Sequence, residues 1–366
     1  MSTSRPRAAL APPAPMLLGM TRVTAEQLAT ARGCVLGLML GDAVGVTGGH
    51  LPTEGPLRAT SAGQLACFTI EGIIRADVRG THKGICHPPS VVWHAYTRWA
   101  SKRGIPGIRR WQDEDWPDGW LAQVPALSVH RGSAPATVSA LQVQPVLDPD
   151  KDRVWTSVGA HGLTRALPAG LVEWWHPEPG RFAAELAATT HGPEAVDAAA
   201  VGATMISAVA KGHGVEESVE RAQRGCHSFL RVLTGRPLAE AAQAAREHPR
   251  DPEALTRLVP DGRALSALAG AVYVALSFPG RGQLHDALLF AASAPHGRHA
   301  AATVGALLGA RHGVNALPVG LVSRLELAWV ADVLARDLLA EFVDRPSGTE
   351  YTDGSDPDWW DRYPGW

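Results

Sequence analysis

An all-α fold, built as one large multi-helix domain, is what this sequence predicts, and three observations predict it. Apolar residues recur at i, i+3, i+4 and i+7 through most of residues 23–342. Alternating apolar and polar runs of the strand type are almost absent. The helical runs are bounded by Gly, Pro or Asp, as helix starts and stops should be. With 366 residues, 45% hydrophobic and 19% charged, the chain has apolar material for a large core.

Taken in order, residues 1–22 are Pro/Ala-rich with three arginines and read as a disordered arm. No apolar stretch precedes their prolines as a secretory leader would require. Thr24 is the expected N-cap of a helix running to Val46, with Gln27 as its capping-box partner. Further helices are expected at 61–76, 90–103, 181–189, 193–211, 215–232, 237–247, 263–277, 282–292, 298–312 and 320–342. Residues 105–180, rich in Trp, Pro and Gly, read as long loops over the helical body, expected to wall a binding site because loops of that length are usually functional. The tryptophans at 93, 99, 111, 116, 120 and 155 are expected to pack rather than to stack on a base. Residues 343–366 form an acidic, Trp-rich tail. Its composition reads as solvated, the alternative being an acidic–aromatic peptide that docks on a partner or back on its own domain.

Composition also narrows function. A net charge of −2 gives no reason to expect nucleic acid or an anionic membrane as partner. Four cysteines without CxxC spacing do not make a disulfide scaffold, and Cys34 and Cys67 fall in apolar helical patterns as core residues. The longest uncharged stretch, 264–280, is too short and interrupted to span a bilayer. A cytoplasmic protein is the simplest placement.

Two segments carry the sharper signals. Gly37, Gly41 and Gly45 lie four apart on one helix face; glycine costs helix stability, so this register implies a second backbone in close approach. Asp42 between them reads as a cap or hydrogen-bond anchor. In the stretch Ser293–Gly313, a small-residue helix follows Pro295-His296-Gly297-Arg298-His299, where helix N–H groups and the dipole favour an anion. There is no G-x-S-x-G elbow, Walker A loop or G-x-G-x-x-G fingerprint. Glu71, Asp77, Glu173, Glu185 and Glu194 are available as acid or base groups, but no spacing selects a glycosidase pair, and Glu71 is expected to be exposed or capping.

Five segments then fall in the order of one known family. GCVLGLMLGDAVG from Gly33 is similar to the opening helix of ADP-ribosylglycohydrolases, which include the dinitrogenase-reductase-activating glycohydrolases. QLACFTIEG from Gln64 resembles the helix after that family's TDDT motif. GAHGLTRALPAGL from Gly159 resembles its G-N-G-x-x-M-R-x-x-P-x-G-L loop, and THGPEA from Thr190 its T-H-x-x-P-E-A helix start. GALLGARHG from Gly305 resembles the helix after its second metal motif. The resemblance implies an all-α fold whose cleft holds two Mg²⁺ ions over ADP-ribose.

The departures are equally specific. Where the family's TDDT motif supplies metal-binding aspartates, this chain reads Thr60-Ser61-Ala62-Gly63; at the GDSDS-like motif it reads His296-Gly297-Arg298-His299. Magnesium needs hard oxygen ligands, so no Mg²⁺ cofactor and no metal-binding residue are expected. His296 and His299 at i, i+3 leave a softer ion such as Zn²⁺ open, without an evident third ligand. Thr60, Ser61, Gln64, His161, Arg165 and Arg298 are the expected ligand-binding residues, Arg298 as the anion contact, with His296 and His299 as the only catalytic candidates. The expected function is a family member without the usual Mg-dependent hydrolase activity that binds ADP-ribose or an ADP-ribosylated or ADP-ribosylating protein. The alternatives are an active hydrolase with a remodelled His/Arg site, and a partner-binding neutraliser of an ADP-ribosyltransferase that uses its tail.

Overall fold

The structure is a computed structural model that describes residues 22–108, 116–143, 155–172, 178–225 and 228–365. Among them are sixteen α-helices and no strand. In chain order these are α1 (Ala25–Gly45), α2 (Ser61–Lys83), α3 (Pro88–Lys102), α4 (Pro135–Gln142), α5 (His161–Ala166), α6 (Pro179–Ala188), α7 (Pro193–Ala210) and α8 (Val215–Gly225). They continue as α9 (Ser228–Glu247), α10 (Pro252–Leu258), α11 (Ala264–Ser277), α12 (Leu284–Ser293), α13 (Arg298–His312), α14 (Val319–Val322), α15 (Ala328–Val343) and α16 (Trp359–Arg362). Residues 1–21 of the expected arm, Trp111, Glu173 and Cys226 lie outside the described residues.

The local signals explain most boundaries. Thr24 Oγ1 accepts the Gln27 N–H (3.1 Å) while Gln27 Oε1 accepts the Thr24 N–H (2.9 Å), the reciprocal box that opens α1. α2 runs two turns further than expected and stops where Gly84 turns left-handed at φ 69°. α9 continues through Pro237, where the periodicity alone suggested a break. The run expected over 320–342 is two helices, α14 and α15, and α10 had no sequence forecast. The irregular stretch 105–180 contains α4, α5 and the start of α6, so it is less loop-like than its composition suggested.

The core is organised on α1 and α13. A Cβ built at Gly33, Gly37 or Gly41 would lie 2.1 Å from the carbonyl oxygens of Gly309, Gly305 and Ala301 respectively. In return, a Cβ at Gly305 or Gly309 would lie 2.0 Å from those of Gly37 and Gly33. The two backbones are therefore in direct contact along more than two turns, from Gly33 to Gly41, the close approach that the glycine spacing implies. α1 is long and apolar enough to cross a membrane, but 78% of that apolar window is buried inside the protein. Cys34 and Cys67 are fully buried in this core.

The C-terminal segment is not a solvated tail. Trp359 and Tyr363 are buried, and Tyr363 Oη donates to Asp337 Oδ2 (2.5 Å), to which Arg362 also pairs. The Pro364 carbonyl accepts from Arg75 Nε (2.7 Å) and the Gly365 carbonyl from Arg79 (3.2 Å). Glu71, expected at the surface, is fully buried beneath this strap. Its two oxygens accept from Arg75 (3.0 Å) and Arg98 (2.6 Å), while Asp118 accepts from Arg75 at 2.5 Å. Two buried guanidinium groups need more acceptors than Glu71 alone offers; Asp118 and the Pro364 carbonyl of the strap supply them to Arg75.

Candidate functional site

The amino ends of α2, α5 and α13 converge near Asp42 of α1, and they differ in what they leave available. At α2, the protein satisfies its own helix start. Asp42 is fully buried; Oδ1 accepts from the Thr60 hydroxyl (2.7 Å) and Oδ2 from the N–H groups of Thr60 (2.6 Å) and Gly63 (3.2 Å). Thr60 Oγ1 accepts the Ala62 N–H (3.2 Å), and the Ser61 N–H donates to the Arg131 carbonyl (2.8 Å). The first-turn donors of this helix are thereby all partnered within the chain. Burial raises the Asp42 pKa, against the charge of Arg298 and these hydrogen bonds.

The side chains beyond the cap hold a loop. Ser61 Oγ donates to the Gly132 carbonyl (2.7 Å) and accepts from Arg103 (2.9 Å), whose other nitrogen reaches the same carbonyl (3.1 Å). Gln64 Nε2 donates to the carbonyls of Ala126 (3.2 Å) and Val129 (3.0 Å), and its oxygen accepts from Trp99 Nε1 (3.1 Å). Residues 126–132 are thus tied down over the start of α2.

The α5 and α13 ends carry a different arrangement. Arg298 Nη2 donates to Nε2 of His299 (2.8 Å) and of His161 (3.2 Å), so both Nε2 atoms are lone-pair acceptors. His299 Nδ1–H then donates to Thr164 Oγ1 (2.8 Å), whose hydroxyl donates to the Ala160 carbonyl (3.1 Å). The rings of His161 and His299 meet edge-on, centroids 4.8 Å apart. His191 stands behind, its ring 2.9 Å from where a Cβ at Gly162 would sit, and shares a 2.6 Å hydrogen bond with Thr190.

Burial, reinforced by Arg298 and Arg165, pushes the pKa of His161 down to about 3; burial with Arg165 and His161 pushes His191 to about 2. Burial lowers His299 well below its ordinary value too. Near neutral pH all three imidazoles are uncharged, so they accept from the guanidinium instead of repelling it. A histidine so hard to protonate is unsuited to donate a proton as a general acid. Arg298 itself is partly exposed, and Nε of Arg298 and Nδ1 of His161 are buried without a protein partner among the described residues. α13 begins at Gly297 with no side-chain cap.

The ADP-ribosylglycohydrolase family model matches residues 24–348. The chain belongs to the ADP-ribosylglycohydrolase family. A solved structure described as an ADP-ribosylglycohydrolase-related protein complex has a similar fold. Its TM-score is 0.57 at 22% identity, covering 86% of this chain and 98% of that one. No curated protein matches.

In this ADP-ribosylglycohydrolase-family chain, the structure brings together His161, Arg298 and His299 and sets the other sequence candidates apart. Thr60, Ser61 and Gln64 are buried with their polar atoms bound to Asp42 and to the 126–132 loop. Arg165 is fully buried over the Tyr96 ring (4.4 Å), donating to Thr137 (2.7 Å) and Thr190 (2.5 Å). These four turn inward, each with acceptors or donors inside the fold. His296 is exposed on the turn before α13, outside the cluster. Sequence reasoning passed over His191, although it stands within the THGPEA segment, and Arg103, which no motif marks. Among the described residues no three of His, Cys, Asp and Glu are arranged to hold a metal ion.

Proposed function

We propose that this ADP-ribosylglycohydrolase-family protein binds an ADP-ribose-type anion, free or on a modified protein, through Arg298 and without Mg²⁺-dependent hydrolysis. One observation carries the reading: a partly exposed guanidinium, aimed by two neutral imidazoles, stands at the uncapped start of α13. A pyrophosphate there would meet a fixed positive charge and a helix N-terminus together. The residues do not fit a magnesium pair. Both oxygens of Asp42 already accept hydrogen bonds from Thr60 and Gly63, and the charge of Arg298 acts on the same carboxylate. A guanidinium cannot ligate a cation and repels one. A cytoplasmic setting belongs to the same proposal. The packed strap argues against the neutraliser reading, because Trp359 and Tyr363 are already buried in their own domain.

Calorimetry with ADP-ribose tests this. Wild type should bind equally with and without EDTA, and Arg298→Ala should bind about 10- to 100-fold more weakly, the worth of a charge-assisted contact. Unchanged affinity in Arg298→Ala removes the role given to that residue. EDTA-sensitive, Mg²⁺-stimulated release of ADP-ribose from a modified protein would sink the reading altogether.

A further inference from the structure

The two imidazoles that meet Arg298 differ in what stands behind them. His299 is backed by Thr164 of α5, which is fully buried; its Oγ1 lies 2.8 Å from His299 Nδ1 and 3.1 Å from the Ala160 carbonyl. His161 has no such support, since its Nδ1 is buried without a protein partner among the described residues. Only His299 is therefore fixed at both ring nitrogens.

Donors and acceptors allow one arrangement along this chain. A guanidinium only donates, so Nε2 of His299 accepts and the single proton of the neutral ring sits on Nδ1. A carbonyl only accepts, so the Thr164 hydroxyl proton goes to Ala160 and an oxygen lone pair is left for His299. Take the hydroxyl away and His299 has two poor choices. Either Nδ1–H stays buried with no acceptor, or the proton moves to Nε2 and the ring meets Arg298 N–H against N–H. Both loosen the hold on a long, partly exposed side chain that loses much rotamer freedom when it is ordered. An imidazole also orients a guanidinium without cancelling its charge, as a carboxylate would. Asp42, on which the charge of Arg298 acts, accepts its own hydrogen bonds from Thr60 and Gly63.

We propose that Thr164 is a positioning residue for the anionic ligand: its hydroxyl takes the Nδ1 proton of His299, frees Nε2 to hold Arg298, and so aims a guanidinium whose charge stays available. Thr164 itself touches no ligand. The consequence for binding rests on the reading of Arg298 as the anion contact, whereas the aim of Arg298 can be measured without any ligand.

The test is nitrogen-15 NMR on the full chain near neutral pH, for wild type, Thr164→Val and Thr164→Ser. Wild-type His299 should carry its proton on Nδ1. The Arg298 Nε–H should exchange with solvent about 10-fold faster in Thr164→Val, the worth of one hydrogen bond, and at the wild-type rate in Thr164→Ser, which keeps the hydroxyl. ADP-ribose affinity by calorimetry should fall in Thr164→Val and recover in Thr164→Ser. A proton on Nε2 of wild-type His299 overturns the proposal even if Thr164→Val does not fold. Unchanged exchange in a folded Thr164→Val, or exchange in Thr164→Ser as fast as in the valine variant, overturns it too. If exchange follows the expected order but no protein binds ADP-ribose, the role of Thr164 in aiming Arg298 stands and the reading of Arg298 as the ligand contact falls.

Discussion

Gly37→Ala should destabilise the protein, although alanine is the better helix former. The new Cβ would stand 2.1 Å from the Gly305 carbonyl oxygen and 2.8 Å from its carbon, where ordinary contact starts at 3.4 Å. Both obstructing atoms are backbone, so no rotamer change relieves them, and α1 and α13 must part by about 1.3 Å. Overpacking of this kind costs about 1–3 kcal/mol, and backbone against backbone belongs at the upper end. Replacing glycine in a helix returns about 1 kcal/mol. The net loss is then about 2 kcal/mol, or about 3 °C in Tm for a domain this size. Gly235→Ala in α9 is the control: a Cβ there has nothing within 4 Å, so the same chemical change should stabilise by up to about 1 kcal/mol. Thermal and urea unfolding followed by far-UV circular dichroism would read both. If Gly37→Ala melts with or above wild type, the two helices are not interlocked as described.

Tyr363→Ala should cost about 3–5 kcal/mol, as for other buried aromatic rings, while Tyr363→Phe should lose only the hydrogen bond to Asp337, about 1 kcal/mol. Urea midpoints matching wild type in both would mean that the strap does not hold. The buried histidines should make the fold acid-sensitive. Their folded pKa values lie below the unfolded value near 6.5, so as pH falls the unfolded chain takes up protons first. Their stabilising share is complete above pH ~6.5 and is lost toward pH ~3, at up to about 1.4 kcal/mol per pH unit for each. Glu341 and Asp197, raised by burial to about 7 and about 6, run the opposite way, which makes the informative quantity a difference between proteins. The stability of His191→Asn relative to wild type should rise as pH falls from 7 to 4 in urea unfolding; parallel curves would refute the assignment.

Features encoded in local spacing were legible in the sequence. The i, i+4 glycines of α1 could only make sense with a backbone against them, and the helix after Gly305 supplied it. Thr24 and Gln27 announced their box. What escaped was tertiary. Glu71 has the sequence setting of a surface residue, one turn from an arginine, and only the return of Asp118 and the last residues over α2 makes it a core charge. In the same way nothing near Ser61 or Gln64 announces that residues 126–132 will close over them. The Arg298–His299 pair is adjacent in sequence, whereas His161, the second acceptor, lies 137 residues away from Arg298. The helix expected to start at Pro237 starts instead at Ser228, nine residues earlier (237 less 228).

The α1–α13 interlock also sets an order of events during synthesis. α1 leaves the ribosome long before the surface that covers its glycine face, because Arg298 at the start of α13 follows Gly45 at the end of α1 by 253 residues (298 less 45). At 5–20 residues per second the wait is on the order of tens of seconds. For that interval the nascent chain presents a 21-residue apolar helix, long enough for a bilayer, with its small-residue face open. The feature that makes the finished core tight therefore makes the unfinished chain dependent on whatever shields α1 until α13 arrives.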